Sequence, residues 1–297
     1  MAYALLTALL FAWSVTCARQ SARHHGADLA NLGRILIALL AMGLWVLMSD
    51  RQPVSPGWQW LVLSGALGLG VGDIALFRAL PRIGPGLTIL LMQCLAAPFA
   101  LVIEYLALGT TLSWAQASAS AIILGGVALA LGAPPEGEPA GRRLGVALAV
   151  VAALGQACGA VSTPLAKAAC LAAGSPVPDG ISQGFMRLLG GVPIVLAFAL
   201  WHARDSGGLA AGITRPYAGS RAPAWMLMNG LAGPAVGVAC YQQALVDLPS
   251  AIVLSVVAIT PLLALPMQWA VEGRRPGWRV WLGGAVAVVG VVVLRNA

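Results

Sequence analysis

The sequence is short of charge. Asp, Glu, Lys and Arg make up only 9% of its 297 residues, while hydrophobic residues make up 59%; soluble domains average about 25% charged and about 45–50% apolar residues. This composition excludes a soluble globular protein and predicts a polytopic membrane protein. The net charge of +7 comes almost wholly from arginine. Because most arginines lie in short connections between apolar runs, they are typical of orientation charges, and nucleic acid is not an expected partner.

Residue types that build reactive sites are also scarce. The three histidines lie near the ends of apolar runs, and no pair of carboxylates recurs at a fixed helical spacing. The five cysteines lie in or beside apolar runs without a CxxC spacing, which favours small buried hydrophobic residues over a disulfide framework or a metal site. We therefore predict no enzymatic activity, no cofactor and no metal.

Long apolar runs are what the sequence has instead. The hydrocarbon core of a bilayer, about 30 Å thick, requires about 20 residues of helix. Nine of the ten tryptophans fall at or near the ends of such runs, as expected for side chains at the membrane interface. The predicted fold class is an all-α integral membrane protein with ten transmembrane helices, at about 2–18, 29–48, 58–78, 84–108, 113–132, 144–166, 181–201, 224–245, 249–271 and 278–294.

The two halves of the chain share a pattern that indicates a duplicated membrane unit. At the end of the third span of each half, Ala79-Leu80 corresponds to Ala244-Leu245, and we call this alignment the third-span register. Further along, an offset smaller by one position superposes Gly109 on Gly273, Trp114 on Trp278, Ala121 on Ala285 and Gly126 on Gly290.

Each copy contains five predicted spans. We assign residues 1–132 to the first repeat, the Pro- and Gly-rich stretch 133–143 to a linker, and residues 144–297 to the second repeat. Five is an odd number, so the second copy must enter the membrane from the opposite side. The predicted architecture is an inverted repeat with a pseudo-two-fold axis in the membrane plane, which many secondary transporters have.

Glycine and proline are frequent inside the spans. The third span contains Gly65, Gly68, Gly70 and Gly72, and Pro98 and Pro261 occupy nearly equivalent places in the two repeats. These residues predict either close packing of helices through small faces or breaks in helices beside a cavity in the membrane.

Ionisable residues inside the spans are candidate functional residues, because a charge at mid-bilayer costs at least about 2.5–3.5 kcal/mol. Arg34 and Arg187 lie about a turn and a half into the second span of each repeat and correspond to each other between the repeats. Binding or gating fits this depth, and so does a long side chain that reaches the headgroups. Asp73 is either a functional carboxylate or half of a structural pair, with Arg78 or with an arginine of another span.

These spans, repeats and motifs resemble the EamA-like branch of the drug/metabolite transporter superfamily over nearly the whole chain. The motifs are Trp13-Ser14 near the end of the first span, Arg34 and Arg187 opening the second span of each repeat, and Ala-Leu closing the third. The Gly-Glu of that family at the end of the fourth span is not matched, because the second repeat has Glu272-Gly273 in reversed order. We therefore attach no mechanism to that glutamate.

The resemblance implies a secondary transporter in the cell (plasma or inner) membrane that exports or exchanges a small organic metabolite, such as an amino-acid-like solute, by alternating access. The expected partners are this solute, the lipid bilayer and protons as a candidate coupling ion, and the expected state is a monomer or homodimer. In a cavity between the repeats we expect Arg34 and Arg187 to orient an anionic group and Asp73 to bind a proton or cation. Trp13, Gln93 and Tyr241 are expected to line this cavity. The alternative is a polytopic membrane subunit, or a translocase of lipid-linked substrates, without classical solute export.

The distribution of arginine predicts an orientation. Twelve arginines lie in the odd-numbered connections between spans, whereas the even-numbered connections and the C-terminal tail carry only Arg51, Lys167 and Arg295. An excess of Lys and Arg in short loops marks the cytoplasmic side. Both termini are therefore predicted to lie outside, although relatives of this fold are usually drawn with both termini inside.

Overall fold

The structure is a computed structural model. It describes residues 1–49, 52–108, 113–131, 141–205, 222–248, 253, 256–273, 275 and 277–296. All regular secondary structure in these ranges is helical. The predicted linker 133–143 lies outside the described residues except for its last three positions, as do the first residues of the predicted span 249–271.

Eleven helices and two π-helical segments follow one another along the described chain. The π-helical segments π1 (Ala66–Gly72) and π2 (Leu231–Gly237) continue directly from one α-helix into the next. The α-helices are α1 (Ala2–His25), α2 (Ala27–Met48), α3 (Trp58–Gly65), α4 (Asp73–Leu108), α5 (Trp114–Leu131), α6 (Arg142–Ala172), α7 (Gly180–Asp205), α8 (Ala222–Gly230), α9 (Val238–Asp247), α10 (Thr260–Glu272) and α11 (Trp278–Arg295).

The helices are those of a multi-pass membrane protein. Many large apolar side chains face outward, among them Leu40, Leu47 and Leu106, each more than two-thirds exposed, where lipid tails would cover them. Two further apolar helices, Trp114–Ala130 and Trp278–Val293, are shorter. Five helical stretches are long and apolar enough to cross a membrane: Ala2–His25, Ala27–Met48, Trp58–Ile103, Arg142–Ala172 and Gly180–Arg204.

Two of the glycines with a positive φ turn the chain sharply in its first half. Gly26 separates α1 from α2 with a φ of 82°, and Gly84 bends α4 with a φ of 76°; both values favour glycine because it has no β-carbon. The helix α1 extends beyond the first predicted span, 2–18, to His25. In this extension Arg19, though charged, is buried and forms an ion pair with Glu272 at 3.1 Å.

The helix irregularities occur at the glycine-rich third spans. Segments π1 and π2 begin and end at equivalent positions in the third-span register. Pro98 lies within continuous helix, whereas Pro261 lies in the first turn of α10, directly after a turn at residues 258–259. The expectation of a break therefore holds near Pro261 and does not hold at Pro98.

Glycines also allow two close helix crossings at the arginines. A β-carbon on Gly65 would overlap the backbone carbonyl of Arg187, and one on Gly230 would lie 2.8 Å from the carbonyl oxygen of Arg34. Thus α3 crosses α7 at Arg187, and α8 crosses α2 at Arg34. The two crossings are equivalent, because the two glycines correspond in the third-span register and the two arginines correspond in the second spans. Each arginine-bearing helix is clamped, at its arginine, by a glycine from the other half of the chain.

Candidate functional site

A small cavity lies where helices from both halves of the chain meet. Its volume is about 70 Å³, which is room for about five water molecules at about 10–15 Å³ each. Residues of α1, α2, π1 and α4 line it from the first half, and residues of α6, α7, π2 and α9 from the second. The polar side chains in this lining are Ser14, Arg34, Asp73, Gln93, Gln156, Arg187 and Tyr241.

Five of the six residues expected to form the site line this cavity: Arg34, Asp73, Gln93, Arg187 and Tyr241. Trp13 does not, and its ring packs against Trp225 of α8 with the ring centroids 6.3 Å apart. The face of α1 toward the cavity carries residues 11, 14, 15 and 18, a helical spacing that excludes position 13. Trp13 thus lies in the same turn of α1 as Ser14 but on a face turned away from this cavity.

Arg34 has three side-chain partners. Its guanidinium forms an ion pair with Asp73, and its Nε donates to the Oδ1 of Asn31 at 3.1 Å. The same group lies over the ring of Phe77, 4.7 Å from the centroid. Asp73 therefore pairs with an arginine of another span and not with Arg78, which donates to Asp28 at 3.1 and 3.2 Å.

Arg187 is bound differently. Its Nη1 donates to the Oε1 of Gln242 at 3.2 Å, and Gln242 in turn contacts Thr163 and Gln183 at 3.4 Å. Among the described residues Arg187 has no carboxylate within ion-pair distance, and its buried Nε has no hydrogen-bond partner. A β-carbon at Gly159 would lie 3.1 Å from its Nη2. A glycine-lined slot therefore holds this guanidinium beside the cavity.

The two arginine environments differ at equivalent positions. The third-span register places Asp73 on Val238 and Phe77 on Gln242. The first half therefore supplies its arginine with a carboxylate and an aromatic ring, and the second half supplies a valine and an amide. Two guanidinium groups and one carboxylate leave the cavity with one net positive charge.

Two more donors of the lining are free. The hydroxyl of Tyr241 and the Nε2 of Gln93 are buried and have no hydrogen-bond partner among the described residues. A buried polar group left without a partner costs about 1–3 kcal/mol, so such groups in a cavity wall are expected to bind water or a ligand. With the Nε of Arg187 they form a set of donors suited to an acceptor-rich group.

Direct hydrogen bonds join the halves beside the cavity. The Ser14 hydroxyl donates to the Oδ1 of Asn229 at 2.8 Å, and the Ser64 hydroxyl donates to the Gly159 carbonyl at 3.0 Å. Ser64 and Asn229 are equivalent in the third-span register. Asn229 and Gln242 were not among the residues expected to form the site. In the sequence, the only feature that could have indicated them is a polar amide inside an apolar run.

Comparison with known proteins identifies the family. The model of the EamA-like transporter family matches residues 1–132 and 143–296. The chain belongs to the EamA-like transporter family. A solved structure described as "Crystal structure of protein" is similar, with a TM-score of 0.61, 17% sequence identity, and coverage of 98% of this chain and 96% of that one. That likeness concerns the fold alone. No curated protein matched the chain.

Away from the cavity, this EamA-like chain has a second buried ion pair, between Arg19 and Glu272. The Nε of Arg19 lies 3.1 Å from the Oε1 of Glu272, and the Nε2 of Gln20 donates to the same oxygen at 3.3 Å. These contacts join the end of α1 to the end of α10. Glu272, the residue that departs from the family pattern in sequence, thus has a structural partner in the first half of the chain.

Proposed function

We propose that this EamA-like protein is a secondary transporter that binds a small organic solute in the cavity and releases it across the membrane by alternating access. The observation that carries the proposal is the buried, charged cavity walled by helices of both halves. Charged side chains at membrane depth are costly and mark substrate pathways. A site shared by two halves can open to either side when one half rocks against the other.

We also propose ten membrane spans, in two inverted repeats at residues 1–132 and 144–297 joined by the linker 133–143. Contacts between the connections support this number. A chain that crosses ten times brings its odd-numbered connections together on one side and its even-numbered ones on the other. Odd-numbered connections touch at His25 with Ala222, Arg78 with Asp28, and Arg82 with Gly141, and even-numbered ones touch at Lys167 with Val246 and Gly57 with Ala166. The reciprocal contacts of Gly65 and Gly230 with the two arginines support the inversion.

The transport proposal is tested by reconstitution. Liposomes containing the purified protein are expected to exchange internal for external labelled solute, from a panel of amino acids and short carboxylates, faster than protein-free liposomes. Arg187→Ala is expected to lower the rate about tenfold or more, since hydrogen bonds to a charged group contribute about 1.5–3 kcal/mol. Rates equal to those of protein-free liposomes for every solute of the panel would contradict the proposal.

Protons are the proposed coupling ion, with Asp73 as the group that exchanges a proton. Because Arg34 holds this carboxylate, their ion pair must open during the transport cycle for the proton to bind. The same liposomes, given an imposed proton gradient, measure the coupling in the wild-type protein and in Asp73→Asn.

The proposed location is the cell membrane, with both termini outside. Alkaline phosphatase fused after Ala297 is expected to be active and green fluorescent protein at the same site dark, because the excess of arginine in the odd-numbered connections retains those connections in the cytoplasm. Fusions after Gly26, in the first connection, serve as the matched control and should show the reverse pattern. Fluorescence at the C-terminal fusion would refute this orientation.

A further inference from the structure

We propose that the cavity selects a solute with a single net negative charge, bound at Arg187 and not at Arg34, and that position 238 determines this selectivity. The inference rests on the proposed function, which makes the cavity the substrate site. It assigns different roles to two arginines that occupy equivalent positions in the two halves. It also assigns a role to Val238, a residue with no polar chemistry of its own.

Arg34 is already neutralised by a carboxylate of the protein. Asp73 neutralises its charge, the Asn31 amide accepts from its Nε, and the ring of Phe77 covers its face. An incoming carboxylate would either add a second negative charge beside Asp73 or displace Asp73 and leave it unpaired in the cavity wall. Arg34 and Asp73 therefore act as a closed pair in the resting cavity.

Arg187 differs in this respect. Its hydrogen-bond partner Gln242 is a neutral amide and no described carboxylate is within ion-pair distance, so this residue, only 3% exposed, has no direct counter-charge. A buried charge without a counter-charge is unfavourable, and a planar guanidinium accepts a carboxylate through two parallel N–H bonds. Tyr241 and Gln93 supply two more free donors in the same wall.

The net charge of the cavity also favours a monoanion over a zwitterion. With one net positive charge in the cavity, a monoanion brings the site to neutrality. A zwitterionic amino acid adds an ammonium group, and Asp73, the only carboxylate among the described residues of the lining, is already held by Arg34. The cavity is therefore expected to bind lactate more tightly than alanine, which differs from it by an ammonium in place of the hydroxyl.

Position 238 tests this because it is the equivalent of position 73. Val238 lines the cavity on α9 and is 5% exposed. An aspartate there would stand to Arg187 as Asp73 stands to Arg34. Val238→Asp is thus expected to neutralise Arg187 with a carboxylate of the protein itself and to abolish anion binding. Val238→Asn introduces a side chain of the same shape as aspartate without its charge.

The experiment measures the rise in thermal unfolding midpoint of the purified protein in a neutral detergent with lactate, lactamide and alanine, a rise that reports affinity. In the wild type we expect lactate to bind about tenfold or more tightly than lactamide or alanine. Val238→Asn should retain a preference for lactate over lactamide, and Val238→Asp should lose it. Equal affinity for the three ligands in the wild type, or an unchanged preference in Val238→Asp, would overturn the inference.

Two further outcomes distinguish this inference from the proposed function. If lactate binds with the expected preference but does not cross reconstituted membranes, the anion site stands and the transport proposal fails. If a neutral solute is transported while lactate shows no preference over lactamide, transport stands and the anion site fails. The comparison of ligands in the wild type requires no variant to fold.

Discussion

Arg34→Leu is expected to lower the free energy of unfolding by about 3–5 kcal/mol, because removal of one partner leaves the other as an uncompensated buried charge. Asp73 would be that charge, since it lies in the cavity wall at 8% exposure and has its ion pair with Arg34. The variant also loses the hydrogen bond to Asn31 and the contact with Phe77. The double variant Arg34→Leu/Asp73→Leu should recover most of the loss, as apolar pairs often replace buried ion pairs without cost.

Thermal unfolding of the purified variants in one detergent, together with their abundance in membranes, measures this effect. Arg187→Leu is the matched control, because it removes an equivalent arginine without leaving a carboxylate unpaired. It should lower transport and reduce stability less than Arg34→Leu does. The interpretation is wrong if the two single variants unfold at the same temperature, or if the double variant is no more stable than Arg34→Leu.

The difference between these arginines could not be predicted from the sequence. Their matched depth in two similar predicted spans made them equal candidates, and in the structure both line the cavity. What separates them is the choice of partner across helices. Asp73 pairs with Arg34 of α2, whereas Arg78, five residues further along α4, binds Asp28 near the start of α2.

The fold could be predicted from the sequence better than the partners of the two arginines, for a physical reason. In a bilayer the backbone must satisfy its own hydrogen bonds, so long apolar runs become helices, and the helical segments of the structure follow the predicted runs over the described residues. The predicted connection 79–83 is helical in the structure, and the chain bends just after it at Gly84, the first residue of the predicted fourth run. The face that each helix turns toward the cavity was harder to predict, because a membrane helix carries apolar residues on every side. For this reason Trp13 was expected to face the cavity.

The glycines of the third spans carried a stronger signal than the prolines. Gly65, Gly68 and Gly72 recur as Gly230, Gly233 and Gly237 in the third-span register. In the structure they flank or lie within two π-helical segments, and Gly65 and Gly230 lie against the backbone of α7 and α2. Close packing therefore applies to Gly65 and Gly230, whereas the helices continue through the π-helical segments without a break. A β-carbon at Gly65 or Gly230 should be more damaging than one at a glycine with open space beside it.

Gly65→Ala is the sharpest form of this expectation. The added methyl group would overlap the carbonyl of Arg187, and neither atom can move unless α3 separates from α7. Overpacking of a core costs typically about 1–3 kcal/mol and occasionally more, and backbone against backbone should reach the upper end. Because the obstructed carbonyl belongs to Arg187 itself, separation of the helices also displaces its guanidinium. We expect a loss of about 3 kcal/mol in stability and at least a tenfold loss of transport in the same variant.

Two other glycine-to-alanine substitutions serve as comparisons for the effect of Gly65→Ala. Gly230→Ala, whose β-carbon would lie 2.8 Å from the carbonyl oxygen of Arg34, should be less damaging than Gly65→Ala. Gly125→Ala, in α5, meets no atom within 4 Å and should stabilise its helix, since alanine is favoured over glycine by up to about 1 kcal/mol in a helix interior. Unfolding midpoints and exchange rates in liposomes should therefore fall in the order Gly125→Ala, Gly230→Ala, Gly65→Ala. If Gly65→Ala is as stable and as active as Gly125→Ala, α3 and α7 do not meet at Arg187, and the position of that arginine beside the cavity is wrong.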